Sequence, residues 1–295
     1  MEEALKNFIE KKLKEETGQS ISIQSTKMLG GGCINHASKA KTDQGNFFIK
    51  WNAQGPEDMF LREAECLEAL ADAQSELHIP KVYLKTAPKE DLPAVLVTEF
   101  LEPATGSTSQ QDEVLGRGLA QIHQYQKDAF GFDHDNYCGA TPQQNDWHSE
   151  WVAFFRDQRI GFLLNLIEKS RGISKDEKKV YDQLLDHLPK WIGHQPAASL
   201  NHGDLWSGNF MYTAQGPALI DPASYFADRE FDLAMMGMFG GFSNRVWESY
   251  QEAYPLPSEW KERHDLYMLY HYLNHYYLFG GSYGQQALNI ARKYA

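Results

Sequence analysis

The chain has 295 residues, of which 42% are hydrophobic and 23% are charged, and its formal net charge at pH 7 is −12. This length exceeds one average hydrophobic core and predicts two lobes or domains, and the composition is typical of a soluble globular protein rather than a disordered or membrane protein. Because an acidic surface repels phosphate backbones and anionic lipid head groups, we expect neither nucleic acid nor a membrane as a partner, although a small phosphate compound still fits a local cradle.

The N-terminus and the cysteines indicate the cellular compartment. Residues 1–18 lack the apolar core and the small-residue cleavage site of a signal peptide, and no later run approaches the length needed to cross a bilayer. The 3 cysteines, at positions 33, 66 and 138, form no CxxC pair and are too scattered for a disulfide framework or a zinc site. We therefore expect a cytoplasmic protein with free thiols.

The first hundred residues predict a small antiparallel sheet with helices. Apolar residues at helical spacing predict a short helix that ends at Gly18. The alternating segments SISIQSTKML, NHASKAKT and FFIKW predict a meander of strands with glycines at its first bend. Pro56 opens a helical pattern through MFLREAECLEALAD, and KVYLKTA and AVLVTEFLE predict two more strands.

A polar, turn-prone segment at residues 103–109 separates this part from a mainly helical remainder. Helical patterns follow in DEVLGRGLAQIHQ, SEWVAFFRDQRIGFLLNLIEK, DEKKVYDQLLDHL and the late WKERHDLYMLYHYLNHYYLF. We interpret the methionines and tyrosines at these spacings as core residues. The change in composition predicts two lobes, residues 1–102 and 103–295.

The segment SLNHGDLWSGNFMYTAQGPALIDPAS, residues 199–224, contains the strongest functional signal. Strand formers alternate around the turn AQGP and predict a hairpin that brings Asn209 and Asp221 together. Because paired strands lie about 4.8 Å apart, an amide oxygen and a carboxylate at the open end could hold one metal ion. Two hard oxygen ligands with room for water and phosphate oxygens suit Mg²⁺.

Asp204, in the loop before the hairpin, is predicted to face the same place. A carboxylate there suits a base that accepts a hydroxyl proton while the hydroxyl attacks phosphorus. One such residue alone would more often be an N-cap or an Asx turn. The D-x-x-x-x-N spacing followed by a hairpin and an aspartate is, however, typical of phosphotransferases with a protein-kinase-like fold.

Features of the first hundred residues fit a site for ATP. Lys50 lies among apolar neighbours in a strand, where it is either a phosphate-binding lysine or an edge lysine with an exposed tip. The next helix offers Glu63 or Glu65 as its ion-pair partner; the alternative is that these glutamates only form a solvated helix face. Gly30, Gly31 and Gly32 form a glycine bend, which lets backbone amides approach phosphate. A glycine triplet is, however, often only a turn. Adenine is expected at the backbone of an interlobe hinge formed by Glu99, Phe100 and Leu101.

Over most of its length the sequence resembles the fructosamine kinase (ketosamine-3-kinase) family, relatives of the aminoglycoside and choline kinases. HGDxxxxN alone indicates only a kinase-like phosphotransferase, whereas HGDLWSGN followed by DPASYFADREFDLAM is far more specific. The resemblance also rests on LGGGCINHASKA, FFIKWN, MFLREAECLEAL, FGFDHDNYCGATPQQNDW, EWVAFFRDQRI, MGMFGG and LYHYLNHYYLFGGSY.

The resemblance implies an α+β, bilobal protein-kinase-like fold with a small antiparallel-sheet N-lobe and a larger, mainly helical C-lobe. It also implies ATP-dependent phosphorylation of the 3-hydroxyl of a ketosamine, the adduct of a sugar and an amine, on free amines or on proteins. The unstable 3-phosphate then falls apart and frees the amine, so the implied role is protein deglycation. The acidic charge balance adds weak support, because it favours a substrate with a protonated amine.

Position by position, the resemblance implies Asp204 as the catalytic base, Asn209 and Asp221 as Mg²⁺ ligands, and Lys50 as the ATP lysine paired with Glu63. His202 is expected to hold the catalytic loop, and Asp228 and Asp232 are expected to anchor loops by hydrogen bonds. Trp206, next to the base, either packs against the sugar or belongs to the core.

Two positions bear on regulation. Some members of the family carry a cysteine in the glycine loop and form disulfide-linked dimers, so Cys33 is either a redox switch or an idle thiol, and the protein is expected to be a monomer or a redox-dependent homodimer. Gly203 stands where protein kinases usually carry arginine, and Asp-Pro-Ala replaces Asp-Phe-Gly, so activation by loop phosphorylation is not expected. The alternative functions are a kinase for an aminoglycoside or choline and a catalytically idle nucleotide-binding protein.

Overall fold

The computed structural model describes residues 1–30, 35–106 and 108–295. In its N-terminal part, helix α1, Glu3–Thr17, ends at Gly18, whose φ of 71° is the left-handed conformation that glycine adopts readily after a helix. Helix α2, Met59–Asp72, connects the third and fourth strands. The strands are β1 Ile23–Leu29, β2 His36–Thr42, β3 Gly45–Asn52, β4 Val82–Thr86 and β5 Ala94–Glu99.

These strands form one five-stranded antiparallel sheet in the order β1-β2-β3-β5-β4. The predicted first helix, strand meander, second helix and two further strands are confirmed. The predicted glycine bend begins at Gly30, directly after β1, whereas Gly31, Gly32 and Cys33 lie outside the described residues.

The remainder of the described chain is mainly helical, which confirms the mixed α+β fold class. The helices are α3 Ser109–Gln124, α4 Trp151–Phe154, α5 Phe162–Arg171, α6 Lys175–Trp191, α7 Glu230–Phe239, α8 Asn244–Ala253, α9 Trp260–Phe279 and α10 Tyr283–Tyr294, with a π-helical turn, Phe155–Gly161, between α4 and α5. Short strands complete it: β6 Gln126–Lys127, β7 Asn136–Cys138, β8 Thr141–Gln143, β9 Ala198–Asn201, β10 Phe210–Thr213, β11 Gly216–Leu219 and β12 Tyr225–Ala227. They pair as β12-β9-β6, β7-β8 and β10-β11.

The two N-terminal helices cover opposite faces of the five-stranded sheet. Val95 and Val97 of β5 pack in the cluster that contains the apolar face of α1, whereas Leu96 packs with α2. Because side chains alternate along a strand, the same rule applies to β3. Ile49 faces α1, so the next residue, Lys50, points toward α2.

The largest apolar cluster lies in the helical part and reaches up to the end of α2 through Leu70 and Leu77. In the described ranges, no helix has both the length and the apolar character needed to span a membrane. His271 of α9 is fully buried in this part, with its ring centroid 4.7 Å from that of Phe231. Within the described chain neither ring nitrogen of His271 has a hydrogen-bond partner.

We expect His271→Leu to make the protein less sensitive to acid. Burial lowers the pKa of His271 from 6.5 to about 3, so between these pH values the unfolded chain binds a proton that the folded chain does not. Stability is therefore lost as the pH falls below about 6.5, and this histidine accounts for about 2 kcal/mol between pH 7 and pH 5. Urea unfolding at both pH values measures the effect, with His187→Leu at an exposed position of α6 as the control. The same acid-dependent loss in wild type and His271→Leu would refute this account.

Candidate active site

His202 is the first residue of the loop between β9 and β10, residues 202–209, and its side chain fixes the loop by two hydrogen bonds. Nε2 of His202 lies 3.0 Å from the carbonyl oxygen of Ile220, and Nδ1 lies 3.3 Å from the backbone nitrogen of Asp204. Since Nδ1 accepts a hydrogen bond, Nε2 carries the proton and donates it to Ile220. Burial lowers the pKa of His202, which is consistent with this neutral ring. His202 thus fixes the loop relative to the residue before Asp221.

Asp232 of α7 holds the same loop from the other side. Its carboxylate accepts hydrogen bonds from the backbone nitrogens of His202, at 2.6 Å, and Gly203, at 2.8 Å. Although burial alone would raise it, the interactions with His123, His202 and the loop amide lower the pKa of Asp232. Asp228 accepts a hydrogen bond from Tyr267 at 2.7 Å. Both aspartates make the kind of anchoring contacts that the sequence predicts.

Gly203 is required by a close approach of two backbone segments. Its φ is 85°, and a Cβ atom at this position would lie 2.0 Å from the carbonyl oxygen of Ala223. The backbone nitrogen of Ala223 also donates to the carbonyl oxygen of His202 at 2.9 Å. An arginine, as in protein kinases, would therefore force apart the loop and the turn after Asp221.

Asp204 and Asn209 contact each other across this loop. Nδ2 of Asn209 donates to the carbonyl oxygen of Asp204 at 2.8 Å and to its Oδ2 at 3.1 Å. Burial raises the pKa of Asp204 to about 7, the bond from Asn209 opposes this shift, and the charges of Asp221 and Asp232 reinforce it. A carboxyl group that titrates near neutral pH suits the role of a base, because it can both take up and release a proton there.

The predicted hairpin between Asn209 and Asp221 is present as β10 and β11, which pair from Phe210 opposite Leu219 to the turn. The backbone nitrogen of Ile220 donates to the carbonyl oxygen of Asn209 at 3.0 Å. Asn209 and Asp221 therefore flank the open end of the hairpin. Asp221 has a φ of 54°, a left-handed conformation that is uncommon outside glycine and turns its side chain out of the strand direction.

The oxygen atoms at this end of the hairpin fit a hard cation. Asn209 uses its Nδ2 on Asp204 and Asp221 uses its Oδ1 on Lys50, whereas Oδ1 of Asn209 and Oδ2 of Asp221 make no hydrogen bond to the described residues. Carboxylate and amide oxygens with room for further oxygen ligands are the donor set that Mg²⁺ prefers.

Lys50 joins the sheet, α2 and the hairpin. Its Nζ lies 2.8 Å from Oε1 of Glu63 and 2.9 Å from Oδ1 of Asp221. Burial alone would favour the neutral amine, but the carboxylates of Asp221 and Glu63 together raise the pKa of Lys50. Glu65 instead pairs with Arg62 at 2.7 Å, so the partner of Lys50 is Glu63.

The predicted hinge begins at Glu99, the last residue of β5, and part of it is already hydrogen-bonded within the protein. The backbone nitrogen of Glu99 donates to the carbonyl oxygen of Lys81 at 2.8 Å, and its carboxylate lies 2.9 Å from Nε2 of His78. Phe100 lies under Nζ of Lys39 at 4.1 Å, and Leu101 is buried. The N–H of Glu99 is thus not free for a ligand.

Trp206 lies over Gly208, where a Cβ atom would come within 2.2 Å of the indole ring. The side chain is 38% exposed, so it does not belong to the core. Its ring meets Phe239 at 5.9 Å, and Phe239 meets His275 at 5.3 Å. Neither Phe239 nor His275 has a role predicted from the sequence. The motifs MGMFGG and LYHYLNHYYLFGGSY contain them, but only the fold shows that they continue the surface from Trp206.

Comparisons with known proteins show which family the chain resembles. A profile of the fructosamine kinase family matches residues 5–295. A probable ketoamine kinase of Vibrio parahaemolyticus is 39% identical over 88% of this chain and 88% of its own. The crystal structure of a putative fructosamine-3-kinase from Thermobifida fusca superposes with a TM-score of 0.85 at 28% identity, and covers 97% of this chain and 98% of that one.

A thermostable mutant of the aminoglycoside phosphotransferase APH(4)-Ia has the same fold, with a TM-score of 0.62, 17% identity and coverage of 96% and 98% of the two chains. The bilobal kinase-like architecture predicted from the sequence is therefore confirmed. Since the family profile spans nearly the whole chain, the protein belongs to the fructosamine kinase family.

Proposed function

We propose that this protein is an ATP-dependent kinase that phosphorylates the 3-hydroxyl of ketosamines on amines or proteins and so leads to protein deglycation. The observation that supports it most is the bridge of Lys50 to both Glu63 and Asp221, beside an Asp204 that Asn209 holds in place. The similarity to a probable ketoamine kinase and to a putative fructosamine-3-kinase supports the substrate class.

The nucleotide is proposed to bind between the sheet and the hairpin. Adenine would use the carbonyl of Glu99 and the N–H of Leu101, because the N–H of Glu99 is engaged by Lys81. Lys50 would hold the phosphates, and the backbone of Gly30 and the following glycines would cover them. The proposed division into an ATP-binding lobe, residues 1–102, and a catalytic lobe, residues 103–295, places this site between the two.

In the proposed reaction the carboxylate of Asp204 takes the proton of the 3-hydroxyl while that oxygen forms a bond to the γ-phosphorus of ATP. The bond from the γ-phosphorus to its bridging oxygen breaks, and ADP leaves. Oδ1 of Asn209 and Oδ2 of Asp221 would hold Mg²⁺, which when bound neutralises negative charge on the phosphates. The ketosamine 3-phosphate then decomposes and releases the amine.

The wider biological setting is proposed on the sequence alone. We expect a cytoplasmic enzyme without nucleic acid or membrane partners, as a monomer or as a homodimer that depends on oxidation of Cys33. Cys33 lies outside the described residues. A non-reducing gel and activity measurements, each with and without reductant, test the redox proposal, and no response in either would count against it.

Trp206 is proposed to contact the substrate. An exposed indole two residues from the base can pack on the sugar and attract a protonated amine, an interaction of about 1–2 kcal/mol. We therefore expect Trp206→Ala to raise KM for the ketosamine roughly 5- to 30-fold and to leave KM for ATP nearly unchanged. Trp147→Ala is the matched control, because Trp147 is equally exposed, at 40%, but packs on Phe226. Parallel changes in both KM values would argue against a substrate contact.

A panel assay tests the proposed function. The purified protein is incubated with Mg-ATP and fructosamines, ribulosamines, aminoglycosides or choline, and ADP release is followed. ADP release that depends on a ketosamine is expected. Turnover of an aminoglycoside or choline instead would transfer the proposal to another small hydroxyl compound, and no turnover of any acceptor would favour an idle nucleotide-binding protein.

A further inference from the structure

A line of buried polar side chains, one guanidinium and two amides, connects the π-helical turn to the backbone of Ser224, three residues after Asp221. Its first member, Arg159, is fully buried, with its guanidinium 3.8 Å from the ring centroid of Tyr225. The line runs from Nη2 of Arg159 to Oδ1 of Asn145 at 2.6 Å, from Nδ2 of Asn145 to Oδ1 of Asn136 at 2.9 Å, and from Nδ2 of Asn136 to the carbonyl oxygen of Ser224 at 2.8 Å. We call the side chains of Arg159, Asn145 and Asn136 the relay.

The charged end of the relay fixes the direction of every hydrogen bond in it. A guanidinium has only donors, so the atom of Asn145 that faces Arg159 must be oxygen. Nδ2 of Asn145 is then left to donate to Oδ1 of Asn136, which also accepts a bond from Nε2 of Gln143 at 3.0 Å. With two donors at its oxygen, Asn136 must present its NH₂ group to Ser224.

The same NH₂ group reaches α2. Nδ2 of Asn136 lies 3.4 Å from Sγ of Cys66, which is three residues after Glu63 on α2. Sγ of Cys66 also accepts a bond from the backbone nitrogen of Ser224 at 3.2 Å. Asn136, Cys66 and Ser224 are each at most 2% exposed. Asn136 therefore sits where α2, the turn after Asp221 and the β7-β8 hairpin meet.

This junction sets the spacing between α2 and the turn at Asp221, and the proposed reaction depends on that spacing. Lys50 contacts Glu63 on α2 and Asp221 on the turn, both at about 3 Å, only while α2 and the turn keep their spacing. In protein kinases the position of the corresponding helix is set by activation-loop phosphorylation. Here Gly203 and the sequence Asp-Pro-Ala leave no arginine for such a phosphate, while the relay connects the helix to the body of the C-terminal part.

We propose that Asn136 is a positioning residue for phosphoryl transfer, which locks α2 to the turn after Asp221 and keeps the Glu63–Lys50–Asp221 bridge assembled without activation-loop phosphorylation. The proposal rests on the proposed kinase function for its kinetic consequences. It makes Asn136 act through Lys50, and not by touching the substrate.

Asn136→Leu tests this role, because leucine keeps the approximate size and removes both the donor to Ser224 and the acceptor for Asn145 and Gln143. We expect kcat to fall about 10- to 100-fold, as for a small misplacement of reacting groups, with KM for the ketosamine within about twofold of wild type. Gln158→Leu is the matched control. Gln158 is also a buried amide, in the π-helical turn, and it donates to the carbonyl oxygen of Asp146 at 3.1 Å, outside the relay. Equal losses of kcat in the two variants, or none in Asn136→Leu, would overturn the proposal.

A double-mutant cycle with Glu63→Gln separates positioning from general damage. If Asn136 acts by holding Glu63 against Lys50, Asn136→Leu should cost less than about twofold in kcat once Glu63 is neutral. The same factor in both backgrounds would contradict the proposal. Should Asn136→Leu not fold, Cys66→Ala replaces it in the cycle, since it removes the contacts of α2 with Asn136 and with the backbone of Ser224. We expect that variant to lose about threefold or more in kcat, again only when Glu63 is present.

Hydrogen exchange tests the lock without any acceptor, so its outcome does not depend on the proposed function. In Asn136→Leu, or in Cys66→Ala as its substitute, the amides of α2 and of residues 222–224 should exchange about tenfold faster than in Gln158→Leu, while α9 and α10 remain unchanged. Unchanged exchange in α2, or a uniform increase over the whole chain, would overturn the lock. If no ketosamine is turned over but α2 alone loosens, the kinase proposal fails and the structural lock stands.

Discussion

Replacement of Asp204 by asparagine is expected to lower kcat by about 10²–10⁴-fold and to leave nucleotide affinity nearly unchanged. The amide cannot take the proton of the attacking hydroxyl, but its oxygen can still accept the hydrogen bond that Nδ2 of Asn209 now donates to Oδ2 of Asp204 at 3.1 Å. The loop also keeps its anchors, because Asp232 holds the backbone nitrogens of His202 and Gly203. The change therefore removes the base with little other disturbance.

Single-turnover kinetics with saturating Mg-ATP measure the effect of Asp204→Asn, and titration calorimetry with a non-hydrolysable ATP analogue measures nucleotide affinity. Asp265→Asn is the control, because Asp265 is an exposed aspartate of α9 that pairs with Lys293. Asp204→Asn that retains more than about a tenth of wild-type kcat would remove Asp204 from the role of base.

Much of the site could be predicted because its signals are local. The loop and hairpin of residues 202–221 lie within a segment of chain short enough for spacing and strand alternation to predict how they fold back, and β10 and β11 pair as expected. The residues of α2 alone allow Glu63 or Glu65 as the partner of Lys50, whereas the family resemblance implies Glu63, which lies 2.8 Å from Nζ of Lys50. Glu63 is three residues after Phe60 and four before Leu67, both buried, so it lies on the face of α2 that packs on the sheet.

The parts that sequence reasoning missed depend on contacts between distant segments. Asn136 meets Ser224 across 88 positions and Cys66 across 70, and no local pattern of amides predicts such a meeting. The surroundings of Trp206 likewise include a distant residue, because its 38% exposed indole contacts Phe239 at the end of α7. Polar residues such as Asn136, in a segment whose sequence resembles a loop, gave the least information about function. Their side chains are nevertheless among the most buried in the structure.

Replacement of Lys50 by methionine should produce the second large loss, in kcat/KM for ATP. Methionine keeps the apolar stem but leaves the carboxylates of Glu63 and Asp221 without their shared cation. Asp221 is half exposed, but Glu63 is buried with Lys50, and loss of one member of a buried charge pair costs about 2–5 kcal/mol. We therefore expect a decrease of about 10²-fold or more. Lys50→Arg should not restore activity, because a planar fork cannot replace a point charge between two carboxylates on different elements. Glu63→Gln should lose less, since Lys50 then still contacts Asp221 at 2.9 Å.

Initial rates at varied ATP concentration distinguish these variants, with Lys41→Met at an exposed position of β2 as the control. If Lys50→Met kept kcat/KM for ATP within about tenfold of wild type, the bridge would be structural only. If Glu63→Gln lost as much kcat/KM for ATP as Lys50→Met, the loss would be due to displacement of α2 and not to removal of the positive charge of Lys50. The expected order, with Lys50→Met far below Glu63→Gln, follows because one cation serves two carboxylates. Removal of one carboxylate leaves a pair, whereas removal of the cation leaves two like charges facing the phosphates.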